Sequence, residues 1–107
     1  MPELRSPARL VIKNGGFEGM SYELSASETL IGRNPTTDIT LLDEGISREH
    51  AIIQYDPDTD EYSVEDLQST NGTKVNGKRV RSAVLQPGDE VQIGHTRFQF
   101  LRDEGGR

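Results

Sequence analysis

The sequence predicts an all-β domain built as a β-sandwich of two sheets. Three observations carry that expectation. Apolar runs are short and alternate with period two, turn-forming residues interrupt them at near-regular spacing, and no window sustains a 3.6-residue period with helix caps. Arg9 to Lys13 reads as the first strand, stopped by Asn14-Gly15-Gly16. Ser21 to Leu24 alternates, and Glu28 to Ile31 is a further short strand ended by Gly32. Asp38 to Leu41 follows an Asn34-Pro35 turn. Ala51 to Tyr55 and Glu61 to Glu65 flank the polar stretch Asp56 to Asp60, a hairpin signal with a loop of about five residues. Val75 and Val80 bracket Asn76-Gly77, the dipeptide that most favours a tight hairpin because both positions tolerate positive φ. Glu90 to Ile93 and Arg97 to Phe100 alternate around Gly94-His95-Thr96. That makes eight or more strands. Residues 1–7, with Pro2 and Pro7, and residues 103–107 read as tails around a domain spanning 8–102.

Composition bounds the function. A chain of 107 residues supports one domain. Its 9 Leu, 7 Ile, 6 Val and 3 Phe make only 25 strongly apolar residues, so the core is thin. The absence of Cys excludes disulfides, thiolate metal sites and Cys nucleophiles. With two His, a metal site would lean on carboxylates. Asp56-Pro57-Asp58-Thr59-Asp60 opens like a calcium loop, but Glu61 and Leu67 stand where that loop wants Gly and Glu, so no metal and no cofactor is expected. The 12 Lys+Arg against 18 Asp+Glu give a formal charge of −6, which repels nucleic acid unless the bases cluster. Six aromatics, three Tyr and three Phe, form no stacking platform, so nucleic acid is disfavoured as a partner. No apolar run approaches the ~20 residues of a membrane span, and Met1 to Arg5 lacks the apolar stretch of a signal peptide. A cytoplasmic protein without membrane insertion is the expectation.

The long polar connections are where chemistry can sit, because a rigid sheet can position them. Three stand out: Gly32 to Thr37, Leu42 to Glu49 and Gln68 to Lys74. Arg33 offers a planar fork of donors, and Ser47 a hydroxyl and a backbone N–H. Ser69-Thr70-Asn71-Gly72-Thr73 offers hydroxyls, an amide and a flexible backbone. An oxyanion such as phosphate is held by mixed donors of this kind, with Arg supplying charge and bidentate geometry. From Leu67 to Gly88 there is no acidic residue, yet Lys74, Lys78, Arg79 and Arg81 lie there. The plain alternative is a solvated hairpin face.

In this order and spacing, Gly32-Arg33, Ser47-Arg48-Glu49-His50, Ser69-Thr70-Asn71-Gly72-Thr73 and Val75-Asn76-Gly77 resemble the signature of the forkhead-associated (FHA) domain. Leu85 to Gly94 is similar to the usual tail of that family, and Ser-Arg-Glu-His looks like its bacterial members. The resemblance runs from about Ala8 to Arg102. It implies a sandwich of about eleven strands with recognition loops at one end. It also implies a phosphothreonine-peptide recognition module that is not an enzyme, acting in bacterial Ser/Thr kinase signalling. Its partner would be a phosphothreonine-containing protein or peptide, a Ser/Thr kinase or its substrate. Carried over by position, Arg33, Ser47 and Thr70 would hold the phosphate. Asn71, Arg48 and Asn76 would meet the peptide, Asn76 mainly by shaping its loop. Gly32, His50 and Gly72 would be structural. Selectivity beyond the phosphothreonine would come from Asp43 to Ile46 and from Asn76 to Arg81.

Two other readings stand beside this one. Ser47 and His50 invite a hydrolase reading, which needs a third group to orient the base and an oxyanion site; the sequence has no nucleophile elbow, and the spacing of three puts both residues at one turn entering a strand. A histidine tying loop backbone together is the expectation for His50, and an exposed turn residue for His95. The alternative function is phosphorylation-independent protein binding through a sheet face.

Overall fold

The computed structural model describes residues 7–103. Of the expected tails, only Pro7 and Asp103 fall among them, and the Asp103 N–H donates to the Pro7 carbonyl at 2.9 Å. The described residues form eleven strands and no helix. In chain order they are β1 (Ala8–Ile12), β2 (Ser21–Glu23), β3 (Glu28–Gly32), β4 (Ile39–Thr40), β5 (Ala51–Asp56), β6 (Glu61–Asp66), β7 (Thr73–Val75), β8 (Lys78–Val80), β9 (Ser82–Leu85), β10 (Glu90–Ile93) and β11 (Thr96–Arg102). Two sheets result, ordered β2-β1-β11-β10-β7-β8 and β4-β3-β5-β6-β9. The expected sandwich of about eleven strands is therefore present.

Alternation sets the layers. Leu10, Ile12, Val91, Ile93, Phe98 and Phe100 are buried from the first sheet, and Ile31, Ile53, Tyr62 and Val64 from the second. Their strand neighbours point outward, as a two-residue repeat requires. Tyr62 is the largest fully buried side chain among the described residues. Its ring lies 5.5 Å from that of Phe100 and 4.9 Å from that of Tyr55. Burying each such side chain contributes about 1.5–3 kcal/mol, which matters in a core this thin.

Two features of the pairing position the loops. The register Ile93↔Thr96 makes β10–β11 a two-residue hairpin, with Gly94 at φ +61°. Asn76 (φ 52°) and Gly77 (φ 85°) form the tight β7–β8 turn that their sequence predicts. The strand β9 was not among the elements read from the sequence, because only Leu85 of its four residues is buried and its alternation is faint. The expected strand Asp38 to Leu41 shrinks to Ile39–Thr40. The Asp38 carboxylate turns back to accept the Leu30 N–H at 2.8 Å.

Candidate functional site

The connections β3–β4, β4–β5 and β6–β7 meet at one end of the sandwich, beside the β10–β11 turn. Their assembly starts at Gly32. A Cβ there would lie 2.1 Å from the Arg48 carbonyl oxygen, so only glycine permits the two chains to run this close. Beyond it the loops zip together. The Arg33 N–H donates to Ser47 O at 3.0 Å and the Asn34 N–H to Arg48 O at 3.1 Å. Arg33 Nε donates to Ile46 O at 2.9 Å, which fixes the plane of an otherwise exposed guanidinium. Its terminal nitrogens have no hydrogen-bond or ion-pair partner among the described residues.

Ser47 connects the second loop to the third. Its hydroxyl oxygen accepts the Thr70 N–H at 3.0 Å. Its own N–H donates to His50 Nδ1 at 3.1 Å. That bond makes Nδ1 the acceptor, so the proton sits on Nε2, which donates to Gly72 O at 2.9 Å. His50 is fully buried and ties the loop backbones together, with both ring nitrogens committed to main-chain groups. Neither nitrogen faces the Ser47 hydroxyl, so the pair is not arranged as nucleophile and base.

The β6–β7 loop is held from beneath by Asp66. Its Oδ1 accepts from Ser69 Oγ at 2.6 Å and Thr73 Oγ1 at 2.7 Å, and its Oδ2 accepts the Ser69 N–H at 3.0 Å. Ser69 Oγ accepts in turn from the N–H of Gly72, whose φ of +87° suits glycine. Asn71 sits at the crest, exposed, and its Nδ2 donates to Gly45 O at 2.9 Å across to the β4–β5 loop.

A second carboxylate fixes that loop from the other side. Asp43 Oδ1 accepts the Gly45 N–H at 2.8 Å, and Oδ2 accepts from the N–H of His95 at 2.9 Å and its Nδ1 at 3.0 Å. The exposed His95 thereby joins the β10–β11 turn to the site. Between these groups lies an open cleft of about 240 Å³, lined by Gly45, Asn71, Gly72, Lys74, Gln92, Gly94 and His95.

Arg33, Ser47 and Thr70 are thus brought together, with Asn71 beside them and Arg48 exposed next to Ser47. Asn76 is not. It lies past the far end of β7, where its Nδ2 donates to Asp89 Oδ1 at 3.0 Å and its Oδ1 accepts the Glu90 N–H at 2.9 Å. Sequence reasoning missed the bracing roles of the Asp43 and Asp66 carboxylates. The signal was there in the local spacing: Asp43 is two residues before Gly45 and Asp66 three before Ser69, offsets at which Asp caps its own turn.

Both carboxylates are held acidic. Burial pushes Asp66 up, but hydrogen bonds from Ser69 and Thr73 and the nearby His50 outweigh it and bring the carboxyl below its ordinary value. Asp43 is lowered chiefly by the Gly45 and His95 N–H groups. A carboxyl more acidic in the folded state gives stability that is complete above its unfolded pKa of about 3.9 and is lost as pH falls through the folded value. Thermal melts should therefore be flat above about pH 5 and fall steeply below about pH 4, with a smaller fall in Asp66→Asn. A melting temperature held constant down to pH 3 would contradict this account.

Comparison with known proteins agrees with the geometry. A family model for the FHA domain matches residues 29–94. The glycogen accumulation regulator GarA of Mycobacterium tuberculosis is 46% identical over 94 residues, covering 88% of this chain and 57% of the relative. The oxoglutarate dehydrogenase inhibitor of Corynebacterium jeikeium is 44% identical over 94 residues, covering 88% and 64%. The chain thus spans less than two thirds of the length of these relatives. Among solved structures, one from a study of phosphothreonine-dependent FHA domain interactions matches with a TM-score of 0.79 at 33% identity, covering 90% of this chain and 95% of the other. Mycobacterium tuberculosis EmbR, in complex with a low-affinity phosphopeptide, matches with a TM-score of 0.83 at 35% identity, covering 95% and 26%.

Proposed function

The chain belongs to the forkhead-associated domain family, with close relatives among bacteria, and on that premise we propose that it captures phosphothreonine segments of partner proteins in Ser/Thr kinase signalling. The observation that carries this reading is the convergence of Arg33, Ser47 and Thr70 from three separate loops onto one exposed spot. A phosphothreonine brings about −1.5 to −2 charges and strong acceptor oxygens. The guanidinium fork of Arg33 meets it with charge, and the hydroxyls of Ser47 and Thr70 complete the donor set. The Arg33 guanidinium is held by the Ile46 carbonyl and the Ser47 hydroxyl by the Thr70 N–H before the ligand arrives, which reduces the ordering cost of binding.

Asn71 and Arg48 flank the spot and are assigned to the peptide. Asn76 is assigned to the hairpin, because its amide is already spent on Asp89 and Glu90. The chain is assigned no catalytic role, and the relatives named as a regulator and an inhibitor support that assignment.

The test is a calorimetric titration with one peptide pool in phosphothreonine, phosphoserine and unmodified forms. Binding of the phosphothreonine form alone is expected; equal binding of the unmodified form would refute the reading. Asn71→Ala removes a peptide contact and the bridge to Gly45 O. It should weaken phosphopeptide binding about tenfold while costing about 1 kcal/mol of stability. Unchanged affinity in Asn71→Ala would move the peptide away from this loop.

A second reading has one observation in its favour. Phe17, Met20 and Leu42 are exposed around an apolar cleft of about 410 Å³ on the β1–β2 side. Binding through that face would survive loss of Arg33.

A further inference from the structure

The registers of the six-stranded sheet assemble a row that no single segment of the sequence contains. Arg79 pairs with Lys74 across β8 and β7, Lys74 with Gln92 across β7 and β10, and Gln92 with Arg97 across β10 and β11. Lys13 extends it: it follows Ile12, the partner of Phe98, and its N–H donates to Arg97 O at 2.8 Å. The neighbours Thr73, Val75, Val91, Ile93, Phe98 and Ile12 are all buried, so the row faces outward. Four of its five residues are cationic, and all four are exposed.

Several facts set this row apart from an ordinary solvated face. None of its cations forms an ion pair among the described residues. Lys74 stands directly opposite Arg79, a like-charge arrangement that costs stability. The next outward row, Ser21, Val11, Gln99 and Glu90, carries a single charge, and it is negative. The row also joins the site. The Arg79 side chain lies over Gly72, where a Cβ would come within 2.3 Å of its Nε, and Lys74 and Gln92 line the cleft beside Asn71.

We propose that this row binds an acidic flank of the same segment that presents the phosphothreonine. The inference rests on the phosphothreonine reading and extends it to ligand selectivity. Charge complementarity commits the occupant. On a protein of net charge −6, an acidic stretch is repelled by most of the surface and finds its unpaired cations here. Four strand spacings of ~4.8 Å give a row of roughly 19 Å, the length of about six extended residues. The cations fall into two adjacent pairs, Arg79 with Lys74 and Arg97 with Lys13, each about one strand spacing of ~4.8 Å apart and so inside the ~8 Å screening length of physiological salt.

The test uses fluorescence anisotropy on the whole chain. The probes are three phosphothreonine peptides, one with neutral flanks and two with four glutamates before or after the phosphothreonine. Each is also made unmodified, and a single-stranded oligonucleotide is included. One acidic-flank phosphopeptide should bind about tenfold tighter than the neutral one at low salt, the four exposed cations each contributing a part. In the Lys13→Gln/Arg97→Gln double variant the advantage should fall to about threefold while the neutral phosphopeptide binds as before, and Lys13→Arg/Arg97→Lys should restore it. Equal binding of all three phosphopeptides, an advantage untouched by the double variant, or tighter binding of the oligonucleotide would each overturn the proposal. Failure of the phosphothreonine reading looks different: the neutral phosphopeptide would not bind at all. The unmodified acidic peptides then decide alone, since binding weakened by Lys13→Gln/Arg97→Gln supports the row and no binding overturns it.

Discussion

Arg33→Ala should reduce phosphopeptide affinity by roughly 100-fold or more while leaving the domain folded. Hydrogen bonds to a charged partner contribute about 1.5–3 kcal/mol each, and a guanidinium offers two in parallel. The loss of both exceeds about 3 kcal/mol, and each 1.4 kcal/mol is a factor of ten. The fold should be spared, because Arg33 is exposed and its N–H bond to Ser47 O belongs to the backbone. Only the Nε bond to Ile46 O disappears, at about 1 kcal/mol. Arg33→Lys keeps the charge but loses the fork and the anchor to Ile46, so it should recover little of the affinity. Calorimetry on the folded variants decides the matter. A folded Arg33→Ala protein that still distinguishes phosphothreonine from threonine would remove the phosphate from this spot.

The second large effect belongs to Gly32→Ala, and it should act on stability first. The new Cβ would sit 2.1 Å from the Arg48 carbonyl oxygen and 3.1 Å from the Glu49 Cα. Both are backbone atoms, so no side chain can swing aside. Relief requires the end of β3 to part from the β4–β5 loop, which breaks the bonds from Arg33 and Asn34 to Ser47 and Arg48. A cost of about 3 kcal/mol follows, the upper end of the range for overpacked positions, because only backbone can yield. For a domain of this size that is a melting temperature lower by more than ~10 °C. Phosphopeptide binding should be lost with it, because Arg33 and Ser47 are positioned by those same bonds. A variant melting within ~3 °C of the parent would show that the loops can separate freely.

How far the sequence could be read differs from element to element. Strands such as Glu90–Ile93 were legible because one face is dry and the other wet, which writes a two-residue repeat into the chain. The β7–β8 hairpin was legible from Asn76-Gly77 alone, since its turn demands two residues that accept positive φ. Which strands pair was not legible. Ala8 meets Arg102 across nearly the whole chain, and nothing local encodes that choice. In the candidate site, Arg33, Ser47, Thr70 and Asn71 were singled out through a set of short motifs taken together. The bracing roles of Asp43 and Asp66 stayed hidden because a carboxylate in an acidic chain reads as solvated surface until its partners are seen. Asn76 takes the loop-shaping part of its expected role. It stands in a motif that resembles a recognition loop, yet its amide works as a brace for the Gln86–Asp89 turn.

The link between Pro7 and Asp103 has a further consequence for how such a domain can be wired into a larger chain. The strands β1 and β11 run side by side from the loop end, where Ile12 meets Phe98, to the opposite pole, where Ala8 meets Arg102. The two leads therefore leave the domain next to each other, at the pole facing away from Arg33. Any polypeptide joined at either lead departs from the back of the module, and one joined at both could carry it as a cassette on a closed stem. An attached segment reaches the end that carries Arg33 only by turning back along the sandwich, a span that a segment of a few residues cannot cover.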